Sequence, residues 1–168
     1  MVILGLGSNC GDRVLHLQSA VAKIGKIVVD LVCSPIYESA ALLPEGAPLE
    51  WDITFLNMAL CCKTILTPQQ LLLEIKAIEK KLGRVERGHW GPREIDIDIL
   101  AYDDLVINEE NLIIPHAHLT ARDFALIPLA DIAPDWVYPA KGNFYGKTAR
   151  EIAGSIANNL TKTSYTLK

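Results

Sequence analysis

The sequence predicts an α+β fold: a ferredoxin-like sandwich with a mainly antiparallel central sheet and helices on both faces. Three observations predict it. Strand-like and helix-like apolar patterns interleave along 168 residues, with no repeat and no low-complexity tract. Two apolar runs, 26–37 and 53–65, precede a single helix like the arms of a hairpin, which a series of β-α units would not produce. The order strand, helix, two strands, helix, strand then follows from the next extended run, "EIDIDILAY".

Each element has its own signal. "VILGL" (2–6) reads as a short buried strand, and a glycine-rich polar loop follows it. Val14, Leu17, Val21 and Ile24 recur at helical spacing, with Gly25 as the stop. "KIVVDLVCSPIY" and "ITFLNMALCCKTI" are the two strands, joined by the proline-bearing "ALLPEGAPLEWD", which is long for a hairpin and therefore a candidate functional loop. Thr67, Pro68 and Gln70 form an N-cap, a first-turn proline and a capping-box partner. Leu71, Ile75, Ile78 and Leu82 form one stripe, and Gly83 ends that helix. A cationic loop from Arg84 to Arg93 leads into the strand "EIDIDILAY", a turn at Asp103 and Asp104, and the extended piece "LIIPHAH". "TARDFALIPLADIAP" predicts short helical segments divided by Pro128. Thr148 and Glu151 cap a helix carrying Ile152, Ile156 and Leu160, and the tail ends in a strand-like piece with nothing to pair with. The expected organisation is one domain over 1–160, with 161–168 a tail at which a second domain would join.

Composition narrows the function. Half the residues are hydrophobic, 21% are charged and the net charge is -4, so no broad cationic surface is offered to nucleic acid. The start has no basic leader, and no run of 18 apolar residues occurs. A cytoplasmic protein without nucleic-acid or membrane partners is expected. Cys10, Cys33, Cys61 and Cys62 fit no CxxC pair or disulfide framework, and read as reduced, small apolar core residues.

The chemistry concentrates in "HWGPREIDIDIL", residues 89–100. Asp96 and Asp98 leave one face of a strand with Cα atoms roughly 6.5–7 Å apart. Two such anions suit divalent cations of a two-metal phosphoryl-transfer site. The plain alternative is a half-exposed strand, isoleucines inward and aspartates to water. The preceding residues favour the metal: Arg84, Arg87, His89 and Arg93, with Trp90 among them and Gly91 and Pro92 fixing the turn, suit polyphosphate. "GLGSNCG" fails as a dinucleotide fingerprint, because Cys10 takes the third glycine place and Gly11 comes one residue late; Ser8 and Asn9 read as turn chemistry. His116 and His118 lack a third soft ligand for zinc, and with Arg122 read as a polar pocket edge or phosphate contact. Phe55, Asn57 and Phe124 are either core and turn residues or the border of a site for a flat heterocycle.

With these residues in view, "HWGPREIDIDIL" resembles the signature of the 6-hydroxymethyl-7,8-dihydropterin pyrophosphokinase family. "LGLGSNCGDR", "FLNMAL", "IEKKLGR" and "IIPHAHLTARDFALIPLADIAPDW" resemble the family in the same order, over about residues 2–140. The resemblance implies transfer of pyrophosphate from ATP to the hydroxymethyl group of a reduced pterin, leaving AMP, in folate biosynthesis. It implies two magnesium ions on Asp96 and Asp98, phosphate contacts from Arg84 and Arg93, and a mobile loop carrying Trp90 and Arg93. Glu79, His116 and Arg122 complete the nucleotide side, with Arg87 standing in where Glu86 replaces a frequent arginine. Asn57 pairs with the pterin edge between Phe55 and Phe124, and backbone near Ser39 and Leu42 reads the rest. No protein base is apparent, which leaves activation of the hydroxyl to a bound magnesium. His89 and Ala117 depart from the family pattern, and the 39–52 segment is longer than usual. Bifunctional relatives carry a following dihydropteroate synthase, so a fused partner domain is expected to join near the tail. Two other classes use parts of this pattern. A DxD glycosyltransferase needs a longer chain with a nucleotide-binding half, and a non-catalytic nucleotide-binding domain would bind magnesium and nucleotide without turnover.

Overall fold

The computed structural model describes residues 1–88 and 90–167; the expectations attached to His89 and Lys168 lie outside the described residues. The strands and helices are β1 (Val2–Ser8), α1 (Arg13–Ile24), β2 (Val29–Cys33), β3 (Tyr37–Ser39), β4 (Phe55–Lys63), α2 (Pro68–Lys81), β5 (Asp96–Tyr102), β6 (Ile107–Glu109), β7 (Leu112–Ile114), α3 (Asp123–Ile132), α4 (Ala149–Ala153) and β8 (Thr161–Lys162). The main sheet runs β5-β1-β4-β3-β8, with β2 also paired to β4, while β6 and β7 form a separate hairpin. Every pairing is antiparallel. With β2 and β3 sharing the place of one strand, the elements follow the expected β-α-β-β-α-β order, and β1 lies between β5 and β4.

Side-chain alternation divides the sheet into two faces. Leu4, Leu6, Met58, Leu60, Ile97 and Ile99 point to α1 and α2, where Leu17, Ile24, Leu71 and Ile75 meet them in the larger core. Ile3, Ala59, Leu100 and Ala101 point the other way, to Leu126 and Leu129 of α3 and Ile152 of α4. Each fully buried Leu or Ile contributes about 1.5–3 kcal/mol of transfer free energy, so both layers are driven by the same alternation. One end of the α3 face is not filled. There β1 presents Gly5 and Gly7 opposite Asp98 and Asp96 of β5, and the missing side chains leave a depression.

Several sequence expectations are corrected. The run 26–37 is two strands: Pro35 brings no N–H to the ladder, and Ser34 closes the gap by donating its N–H to Ala59 O and accepting from Ala59 N–H at Oγ, both at 2.9 Å. Pro128 does not divide α3, which continues through it; one intrahelical bond is lost, and the helix persists because Ala125, Leu126, Pro128 and Leu129 are buried together. The capping boxes of α2 and α4 form as expected, but α4 ends at Ala153, so Ile156 packs from beyond the helix and Leu160 lies outside it. The tail strand falls earlier than the expected chain end and does have a partner: Thr161 and Lys162 pair with Glu38 and Tyr37 of β3, while 163–167 form no strand. Of the cysteines only Cys62 is buried, and Cys33 is exposed. Among the described residues no helix is long and apolar enough to cross a membrane.

Candidate active site

The depression is a cavity of about 380 Å³ on the α3 side of the sheet. Its floor is β1 at Gly5 and Gly7. A Cβ at Gly7 would stand 3.3 Å from Asn57 Oδ1 and 3.5 Å from Phe55, and one at Gly5 would press on Leu100 at 3.1 Å. The glycines first read as a failed nucleotide fingerprint thus keep the cavity open. The signal for them was visible only as two residues without side chains in an otherwise apolar strand.

On the β5 side stand Lys76, Arg84, Arg93, Asp96, Asp98, His116 and Arg122, with Trp90 and His118 at the edge. Four cationic side chains against two carboxylates leave this side positive. Asp96 receives Arg84 Nη1 at 2.6 Å and also pairs with Arg93 Nη1. Burial works to raise its carboxyl, but Arg93, Arg84 and Lys76 together hold it below the usual aspartate value. Among the described residues no guanidinium pairs with Asp98 in this way. Although 42% exposed into the cleft, it is walled by protein, and burial followed by the Asp96 charge pushes it up to about 6. His116 Nε2 lies 4.0 Å from Asp98 Oδ2. Burial, then Arg122 and His118, bring that histidine down to about 4, so it is neutral at pH 7. Its Nδ1 accepts from His118 N–H at 3.3 Å, which puts the ring proton on Nε2. Both histidines follow the strand, in a turn after β7, and not on a strand face.

Towards β3 and β4 the wall is apolar with one amide. Phe55, Asn57, Ser39, Leu42, Ala40 and Ala41 line it, and Phe124 closes it from the first turn of α3. Asn57 Nδ2 donates to Ser39 Oγ at 2.9 Å in a buried contact, which leaves its carbonyl oxygen and second N–H to the cleft. The Arg122 guanidinium sits 5.7 Å from the Phe124 ring centroid, close enough for a cation–π contact.

Two expected site residues stand elsewhere. Glu79 is 3% exposed and does not line the cavity. Its carboxylate accepts from Arg84 Nη1 at 2.5 Å, Ile97 N–H at 2.8 Å and Lys76 Nζ at 3.0 Å, so it fixes Arg84 from behind instead of facing a nucleotide. Arg87 lies in an adjoining depression and is engaged by Glu94, 2.5 Å from Nη2 to Oε1. Glu94 also accepts from Val85 N–H at 3.1 Å, and the Arg87 bond first, with its own and the Val85 backbone N–H groups, holds it down to about 2 against burial. Lys76, one turn before Glu79 and half-exposed, also lines the cavity and was not singled out from the sequence.

An α+β sheet whose open end sets carboxylates and guanidiniums beside an aromatic and amide wall defines an enzyme class that brings a phosphate-bearing substrate to a flat one. The sequence profile of 7,8-dihydro-6-hydroxymethylpterin-pyrophosphokinase matches residues 3–134. The chain is 47% identical over 138 residues to the 2-amino-4-hydroxy-6-hydroxymethyldihydropteridine pyrophosphokinase of Aquifex aeolicus, covering 82% of this chain and 83% of that one. It is 42% identical over 156 residues to the folate synthesis bifunctional protein of Chlamydia muridarum, covering 90% of this chain but spanning only 35% of that protein. The structure of Plasmodium falciparum HPPK-DHPS superimposes with a TM-score of 0.68 at 19% identity, over 92% of this chain and 44% of that one, a likeness of fold. The chain belongs to the 7,8-dihydro-6-hydroxymethylpterin-pyrophosphokinase family.

Proposed function

We propose that the cleft transfers pyrophosphate from ATP to 6-hydroxymethyl-7,8-dihydropterin, giving AMP and the pterin diphosphate, as a step of folate biosynthesis. The class, an ATP-dependent pyrophosphokinase, follows from the family. The observation that carries the reading is a single cavity with a charged half on β5 and an aromatic and amide half on β3, β4 and α3. The two halves match the two substrates.

On the pterin side, Phe55 and Phe124 offer ring faces, Asn57 offers an acceptor and a donor to a heterocycle edge, and backbone near Ser39 and Leu42 meets the rest. On the nucleotide side, Arg84 and Arg93 hold phosphate oxygens. Arg84 uses one nitrogen, Nη1, for both of its carboxylates, so the rest of its fork can face phosphate. Arg122 and neutral His116 border the same half, and Trp90 lies at its rim. Lys76 adds a cation where charge develops during transfer.

The donor set fits magnesium. Asp96 and Asp98 are hard oxygen ligands on one strand face, and among the described residues no group of three His, Cys, Asp or Glu gathers to make a protein cage. Magnesium characteristically takes one or two carboxylates and completes its shell with water and substrate phosphate. Asp96 and Asp98 would hold two such ions, which when bound would neutralise phosphate charge and lower the pKa of a coordinated hydroxyl. The protein's own part is to align the pterin hydroxyl with the β-phosphorus and spread the charge over Arg84, Arg93 and Lys76.

The test supplies magnesium, ATP and the hydroxymethyl dihydropterin and identifies the nucleotide product. AMP in step with pterin diphosphate is expected. ADP would make this an ordinary kinase, and binding without turnover would make it a nucleotide-binding module.

A further inference from the structure

The β1 strand ends between the two halves of the cleft. Its ladder to β5 stops at Gly7 opposite Asp96, and its ladder to β4 stops at Ser8 opposite Leu56. Beyond those points both walls still have to be held, and one side chain holds both. Asn9 is 2% exposed. Its Oδ1 accepts from Arg93 N–H at 2.8 Å, its own N–H donates to Arg93 O at 3.1 Å, and its Nδ2 donates to Ile53 O at 3.2 Å. Ser8, fully buried, adds a bond from Oγ to Glu94 O at 2.6 Å. The amide of Asn9 thus continues the ladder on each side after the backbone of β1 has left it. An amide offers an acceptor to one neighbour and a donor to the other from one short planar unit.

Each partner leads into the cleft. Arg93 extends its guanidinium to Asp96, and Ile53 stands two residues before Phe55 on the heterocycle wall. We propose that Asn9 is a positioning residue that sets the phosphate-side arginine against the pterin-side wall, and that its loss lowers turnover far more than the binding of either substrate. The inference rests on the pyrophosphokinase reading and adds a residue to it. Asn9 is not among the residues that line the cavity, whereas Arg93 and Phe55 are. It fixes the distance between those two lining groups, and misplacement by about 1 Å of reacting partners lowers rates by on the order of a hundredfold.

Wild-type turnover to AMP tests the functional reading; the ratio of variant to wild type tests Asn9. For Asn9→Ala we expect kcat to fall by about a hundredfold, with the dissociation constants of a non-hydrolysable magnesium–ATP analogue and of the pterin, each titrated alone, changed severalfold at most. Asn9→Asp keeps the acceptor for Arg93 N–H and turns the bond to Ile53 O into a repulsion. It should keep analogue affinity while losing kcat and pterin affinity together. Rates are taken below each variant's unfolding transition and normalised to folded protein. A normal kcat in folded Asn9→Ala overturns the proposal, and so does a loss confined to the folded fraction or to one substrate's affinity. A measurement on the wild type does not depend on the variants folding: the Arg93 amide should exchange with solvent slowly. Exchange at the rate of an open loop overturns the proposal as well.

Discussion

Asp98 is the residue at which stability and activity part company. Its carboxyl titrates near 6 in the folded chain against an ordinary 3.8, because burial and the Asp96 charge both oppose ionisation. A raised acid binds its proton more tightly folded than unfolded, so stability from this group is present below the ordinary value and is lost as pH rises from about 4 through about 6. Asp98→Asn should therefore raise the Tm of the metal-free protein at pH 7.5 by a few degrees, while turnover falls on the order of a hundredfold or more; calorimetry at pH 4 and 7.5 should show the gain only at the higher pH. A Tm unchanged at pH 7.5 would remove the electrostatic cost. On the proposed function, magnesium held by Asp98 would have to displace a proton below pH 6, so its affinity, measured by titration calorimetry, should fall about tenfold per pH unit there and level off above. The two aspartates were legible in the sequence because a strand has a period of two and isoleucines marked the opposite face. Glu79 was not: it belongs to a regular helix stripe, and nothing in the spacing tells a carboxylate facing a ligand from one buried on Arg84, Lys76 and a backbone N–H. Gly5, Gly7, Lys76 and Asn9 escaped because their effect depends on which strand or cavity lies opposite.

Elements with a local chemical start and stop were predictable, and those set by tertiary contacts were not. The cap of α2 shows the first kind. Thr67 accepts from Gln70 N–H while the Gln70 side chain accepts from Thr67 N–H, so Thr67→Ala should cost about 1 kcal/mol in denaturant unfolding and leave kcat unchanged. The break between β2 and β3 is of the second kind, since the apolar run reads straight through Pro35 and only Ser34 against Ala59 closes the gap. So is the continuation of α3 through Pro128. The loop from Arg84 to Arg93 has a strap that its positive charge concealed. Glu94 binds Arg87 and the Val85 N–H, and its lowered pKa means that this stabilisation is present above about 4.5 and is lost as pH falls towards about 2. Glu94→Gln should lower stability at pH 7 by about 1–2 kcal/mol and expose the loop's arginines to trypsin, with wild type and variant converging as the pH drops towards 3. Unchanged cleavage in the variant would mean that the strap does not hold the loop.

At the scale of the molecule the site is asymmetric across the sheet. The charged wall belongs to β5 at one edge, the aromatic and amide wall to β4 and β3 towards the other, and β1 between them supplies the floor. The βαββαβ order made this arrangement legible in outline, because it puts the first and last strands side by side. The contribution of the tail was not legible, since a two-residue strand shows no periodicity. Yet β8 covers the outer edge of β3, Thr163 donates to Ile36 O from both its N–H and its hydroxyl, and Leu167 packs on the larger core. Ser39, which holds Asn57, lies on the strand thus covered. Ending the chain after Leu160 should cost about 2 kcal/mol, a Tm lower by roughly 4–8 °C. It should also raise KM for the pterin severalfold, because β3 is then held from β4 alone. KM for ATP should stay put, since Asp96, Arg84 and Arg93 lie on the far side of β1. Steady-state kinetics with each substrate varied in turn separates the outcomes: equal rises in both constants would mean that the sheet yields as one plate, and no rise in either would mean that β4 alone is enough to hold the heterocycle wall.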